Sequence, residues 1–269
     1  MRISAGCLIS YDCPQPTPML LTLTPHPSRA PDLVGPHVMT FDPPIESREY
    51  SDGFGNRCTR ITAPTGRLTI STRLLVEDPG TPDILSPGAM QHRVEDLPDE
   101  VLVYLLGSRY CDTDRLADVA WSLFGQGPTG WARVQAICDY VHHRIVFGYE
   151  HARPTRTAWD AFTERLGVCR DYAHLAVTFC RCVNIPARYC TGYLGDIGMP
   201  PPYGPMDFAA WFEVYLDNAW HTFDARNNTP RIGRILLARG RDATDVAIAT
   251  TFGPCTLSSF NVFTDEVLA

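Results

Sequence analysis

The sequence has no apolar run near the ~18–20 residues that cross a bilayer, so no spanning helix and no membrane partner are expected. It has no Lys/Arg run longer than two, and its net charge is −7. Such a chain offers no basic stripe to a phosphate backbone, which argues against nucleic acid as a partner. Met1–Cys7 carries one basic residue and no apolar core, so it does not read as a signal peptide, and a cytoplasmic location is expected. Internal repeats and low-complexity tracts are absent. Metal-ligand spacing is absent too: Cys180-x-Cys182 is too tight for a C-x2-C knuckle, and no histidine pair completes a site. No metal or organic cofactor is implied.

What is present fits a globular protein. At 269 residues, with 45% hydrophobic and 20% charged residues, the chain makes one large domain or two modest ones. The ten cysteines are a high count. Without an export signal, most are expected as buried free thiols in a reducing compartment.

Residues 1–85 read as a β domain. Short β-branched runs (Leu20–Thr24, Arg60–Thr62, Arg67–Val76) lie between glycine and proline turns, including Asp52-Gly53-Phe54-Gly55-Asn56. This suggests a sandwich-like module without chemistry of its own. Residues 77–100, rich in Pro, Asp and Gly, form the boundary, and 86–269 is expected as the catalytic core. There the period becomes helical. One helix follows Thr113-Asp114 and a second follows Gly130. A third spans Thr155–Leu166, and a fourth runs from about Val168 to Val183 and stops at Asn184-Ile185-Pro186. Strands are expected at Arg188–Tyr193, Trp211–Leu216 and Trp220–Asp224.

Cys169 falls in the first turn of the fourth helix. The positive end of the helix dipole and free N–H groups there favour a thiolate and could hold an oxyanion. On spacing alone a structural cysteine is the commoner reading. Downstream, Asp217-Asn218 is a turn dipeptide between alternating runs. A hairpin there puts Leu216 opposite Ala219, Val214 opposite His221 and Phe212 opposite Phe223. Phe212, Val214, Leu216 and Phe223 then face the core, and Trp211, Glu213 and Asp224 share the other face.

Gly167-Val168-Cys169-Arg170-Asp171-Tyr172-Ala173-His174-Leu175, Asn184-Ile185-Pro186-Ala187-Arg188-Tyr189 and Gly192-Tyr193-Leu194 resemble the core of bacterial transglutaminase-like proteins. So do Met206-Asp207-Phe208, Ala210-Trp211-Phe212-Glu213 and Phe223-Asp224-Ala225-Arg226. The glycine-rich turn at 52–56 and Pro64-x-Gly66-x-Leu68-x-Ile70 are similar to the β domain that precedes this core. The resemblance implies an α+β fold: a β-sandwich-like domain, then a papain-like core with a helix-borne cysteine packed on an antiparallel sheet. It also implies a Cys-His-Asp triad working on amides, with Cys169 as nucleophile and Asp224 as the carboxylate that holds the histidine. The histidine of that pattern stands between Phe208 and Ala210, where this chain has Ala209. His221 has the wrong parity to replace it. His174 is five residues beyond Cys169, about 140° around the helix, and also points elsewhere.

Ala209 therefore reads as a His→Ala change that leaves an inactivated variant, or as the mark of a natural pseudoenzyme that uses the cleft to bind a peptide or protein. The parent activity implied is acyl transfer or hydrolysis at an amide, peptide or thioester bond through an acyl-Cys169. Trp159, Tyr149, Tyr203 and Trp211 are candidate cleft residues. The Pro200–Pro205 loop is a candidate rim. The expected partner is a peptide, a protein or a small amide or thioester, and the oligomeric state stays open.

Overall fold

The computed structural model describes residues 1–201 and 203–267. The N-terminal part holds β1 (Arg2–Cys13), β2 (Thr17–Leu21), β3 (Val38–Asp42), β4 (Ser47–Ser51), β5 (Arg57–Ala63) and β6 (Gly66–Glu77). A helical segment follows, with α1 (Asp99–Leu102), α2 (Thr113–Phe124), α3 (Trp131–Arg144), β7 (Val146–Phe147), α4 (Ala158–Glu164), β8 (Leu166–Gly167) and α5 (Cys169–Cys182). The chain ends with β9 (Ala187–Tyr193), β10 (Ala209–Leu216), β11 (Ala219–Phe223), β12 (Ile235–Gly240), β13 (Ala249–Thr251) and β14 (Thr256–Val267).

Two antiparallel sheets, ordered β14-β1-β6-β3 and β13-β2-β5-β4, close on one apolar core. Alternation in β1 (Ile3, Ala5, Cys7, Ile9) and β6 (Leu68, Ile70, Leu74, Val76) turns every second side chain inward. The sandwich expected for 1–85 is present, but the division at residue 85 is corrected by the hydrogen bonding. β13 pairs with β2, and β14 pairs with β1 along nearly its whole length, from Arg2↔Val267 to Asp12↔Thr256. The polar, β-branched C-terminal tail thus completes the N-terminal sheets. The same register sets Cys13 beside Cys255, and the two form a disulfide. The expectation of free thiols is corrected for this pair; the other eight cysteines are free.

The third sheet, β11-β10-β9-β12, carries α5 on one face. Phe212, Val214, Leu216 and Phe223 pack there in one cluster with Leu175, Ala176 and Phe179 of α5. The hairpin register is the expected one, and Asp217 and Asn218 take φ of +47° and +61° at its turn. α2, α3 and α4 surround α5, which is buried from Asp171 to Cys182. α3 begins at Gly130 (φ +64°), where a Cβ would stand 2.3 Å from the Ala89 carbonyl oxygen. α4 is shorter than the expected 155–166. Thr157 caps it through Asp160, and Arg165 turns left-handed (φ +59°) to bring β8 against β7.

The turn at 52–56 joins the two parts. Asp52 accepts from the Phe54 and Asn56 N–H groups and from the Asn56 side chain at 2.8–2.9 Å. Asn56 is thereby presented to β12, donating to the Arg239 carbonyl (2.8 Å) and accepting from its N–H (2.9 Å). No helix among the described residues is long and apolar enough to cross a membrane.

Candidate active site

α5 begins at Cys169, and the Asp171 carboxylate two residues on accepts from the Val168 N–H at 2.9 Å. Asp171 is buried and pairs with Arg156 (3.3 Å) and Arg170 (3.7 Å). This fixes the first turn of the helix and the cysteine on it. The Cys169 sulfur is half-buried. Its S–H points to the Phe208 carbonyl at 3.8 Å, and the Ala210 N–H is close enough to favour the thiolate. The sulfur therefore lies against the backbone that brackets position 209.

Sequence reasoning expected the helix start to favour a thiolate. The structure corrects this. Burial pushes the Cys169 thiol up to about 11, and the Asp207 carboxylate adds to the rise; the Ala210 N–H and Arg226 pull the other way without cancelling it. A cysteine at a helix N-terminus needs a cationic neighbour to become a thiolate here, and Ala209 supplies none.

Ala209 opens β10 opposite Gly192 and packs beside Trp211, Cys190 and Leu236. A Cβ at Gly192 would meet the Ile235 carbonyl oxygen at 2.0 Å and the Trp211 ring at 2.9 Å, so glycine is required for the indole to lie back along the strand. Ala209 and Trp211 share one face of β10, and Asp224 follows one residue past the last pair of the hairpin, Phe212↔Phe223. Asp224 is buried. Its carboxylate accepts from the Asn227 N–H (2.9 Å), the Asn227 side chain (2.7 Å) and Arg234 (2.9 Å). Burial alone would raise its pKa; Arg234 and Asn227 outweigh burial and hold the carboxyl below its ordinary value. Asp224 is ionised and oriented, as an acceptor for an imidazole would need to be. His142 supports the same loop, its Nδ1 lying 3.2 and 3.0 Å from the carbonyl oxygens of Ala225 and Arg226.

Cys169 and Ala209 open on a cavity of about 510 Å³. Tyr149 and Tyr203 line it, along with Asp207, Arg226 and Phe147. Pro200 and Pro205 of the expected rim line it too, and Pro202 lies outside the described residues. Two expected cleft residues are corrected. Trp159 packs against Phe162 and under the Arg115 guanidinium, and its backbone N–H is held by Asp112. Trp211 is buried beneath Arg234 and does not line the cavity. His174 is sandwiched between Tyr110 and Tyr189, accepting from the Ala243 N–H, and His221 reaches the Leu216 carbonyl. Neither lines the cavity with Cys169.

Asp207, Arg226, Asn227 and Arg234 were not predicted as site residues. The first two lie inside the motifs quoted above, and their charge beside Phe208 and Asp224 was the available signal. Asn227 and Arg234 carried none, because their role depends on the fold of the 224–235 loop.

Comparison with known proteins agrees with this architecture. Residues 119–225 match the profile of the Transglutaminase-like superfamily. An uncharacterized protein of Mycobacterium leprae is 25% identical over 235 residues, 84% of this chain and 82% of its own. One of Mycobacterium tuberculosis is 27% identical over 237 residues, covering 78% of this chain and 73% of its own. A crystal structure from Cytophaga hutchinsonii, provisionally named a cysteine protease, superposes with a TM-score of 0.85 at 29% identity. It spans all of this chain and 92% of that one. Residues 119–225 thus carry a transglutaminase-like core, a helix-borne cysteine on an antiparallel sheet, and the whole chain is similar in fold to the Cytophaga hutchinsonii structure.

Proposed function

We propose that the cavity over Cys169 is the acyl-transfer site of a cysteine-dependent amidase, peptidase or amide-forming transferase whose proton shuttle is missing at position 209. The observation that carries this is the sulfur of Cys169 lying against the backbone next to residue 209 while Asp224, one residue past the end of β11, is held ionised. With histidine at 209, an imidazole takes the thiol proton and the thiolate attacks the carbonyl carbon. The tetrahedral intermediate then collapses with protonation of the leaving amine. The acyl-Cys169 thioester is released to water or to an amine. The 23 basic residues of the chain are all arginine, so an amine acceptor comes from another molecule and not from a lysine of the chain itself.

As it stands the chain lacks the base and its nucleophile is a protonated thiol. Loss of one member of such a set costs on the order of 10⁴–10⁶ in kcat. The second reading is a natural pseudoenzyme that keeps the cavity to bind a peptide or protein; the high thiol pKa favours it. Ala209→His separates the two. Turnover of peptide amides well above the parent chain, lost again with Cys169→Ala, supports the acyl-transfer site. No gain with Cys169 intact leaves the binding module.

A further inference from the structure

Charges in the cavity wall are not balanced locally. Arg231 is taken by Asp196 (3.0 Å) and the Gly195 carbonyl (2.8 Å), and Glu150 sits exposed at the rim beside His151. Two charges are left over. Asp207 is half-buried and has no cation within 4.0 Å among the described residues; its only hydrogen bond there is from the Phe208 N–H at 2.6 Å. Arg226 has no carboxylate within 4.0 Å among them. It donates to Asn227 Oδ1 at 2.8 Å and lies 4.5 Å from the centre of the Phe147 ring, with its other donors uncommitted.

Both line the cavity with Cys169, where the Asp207 carboxylate raises the thiol pKa and the Arg226 guanidinium lowers it. The cavity onto which the nucleophile opens therefore holds one carboxylate and one guanidinium without ion-pair partners among the described residues. Holding either charge half-desolvated and unpaired costs free energy, which an opposite charge on a ligand offsets. A bidentate guanidinium suits a carboxylate, and a lone carboxylate suits an ammonium.

We propose that Asp207 and Arg226 select a short peptide with both ends free, its ammonium on Asp207 and its terminal carboxylate on Arg226. An extended residue spans at most ~3.6 Å, so in a di- or tripeptide every amide lies within about 10 Å of both ends, and one of them falls at the sulfur. The cavity is of the size that takes a small ligand. This inference rests on the cavity being the substrate site, and its test does not require turnover.

The chain with Ala209 is dialysed to equilibrium against a degenerate pool of free tripeptides, and against the same pool N-acetylated or C-amidated. Mass spectrometry reads the bound fraction. Free-ended peptides are enriched, and blocking either end lowers binding at least tenfold. Asp207→Asn removes the penalty for acetylation and keeps that for amidation; Arg226→Gln does the reverse. Equal binding of blocked and free pools, or no enrichment of any free peptide, overturns the inference. Hydrolysis of blocked and free peptides at equal rates by the Ala209→His variant overturns it while sustaining the acyl-transfer reading. End-dependent binding with an inert Ala209→His variant does the opposite.

Discussion

Arg234 stands between Asp224 and Asp83, 2.9 Å from each carboxylate, with all three side chains largely buried. The boundary segment is thereby tied to the carboxylate of the candidate triad. Arg234→Leu leaves two buried carboxylates without their cation and is expected to cost about 3–5 kcal/mol. Urea unfolding at pH 7 measures it. A change below about 1 kcal/mol would show the bridge to be open to solvent. Asp224 is depressed in the fold, so its contribution is present above the ordinary carboxylate value and is lost as pH falls through the folded value.

His174 gives a separate acid sensitivity. Burial brings its imidazole down to about 3, against about 6.5 in an unfolded chain. The unfolded state binds the proton first. Stability is therefore full above pH ~6.5 and declines as pH falls toward 3, by up to about 1.4 kcal/mol per pH unit. His174→Gln keeps an acceptor for the Ala243 N–H and removes the titration. Between pH 7 and 4 its unfolding free energy is expected to fall less steeply than that of the parent, and parallel slopes would refute the assignment.

Alkylation of Cys169 reports its acidity directly. In the parent chain the iodoacetamide rate should rise with an inflection near pH 11, as burial dictates. In Ala209→His an imidazolium beside the sulfur lowers that inflection by several pH units. An unchanged profile in the variant would mean that the ring does not reach the thiol. Mass spectrometry after tryptic digestion separates Cys169 from the other free cysteines, of which seven are buried.

Asn56→Leu tests the junction of the two parts. It strips the Arg239 N–H and carbonyl of their side-chain partners in a buried setting. Two unmade hydrogen bonds of this kind cost roughly 2–4 kcal/mol, to be read as a lower thermal midpoint. A variant as stable as the parent would show that water replaces the amide.

Much of this was legible in the sequence because it is local. The 217–218 turn fixes the β10–β11 register, and that register settles which residues of the hairpin face α5. The breaker at 184–186 ends α5 where expected. What was not legible depends on distant partners. β14 alternates weakly and exposes most of its side chains, so no period marked it; it is a strand because β1 needs a neighbour. The Cys13–Cys255 bond follows from that pairing. The pKa of Cys169 was misjudged because helix position is visible in sequence and burial is not.

The pairing of β1 with β14 also has a consequence for biosynthesis. The sandwich cannot be completed when residues 1–77 leave the ribosome, since two of its eight strands lie at 249–267. The helical core must form while β1 and β2 wait with open edges, and the last strands then close the molecule like a clasp. With Arg2 paired to Val267, a circular permutant opened at the exposed Ile84–Leu85 bond would place β13 and β14 ahead of β1 and β2 and shorten that wait.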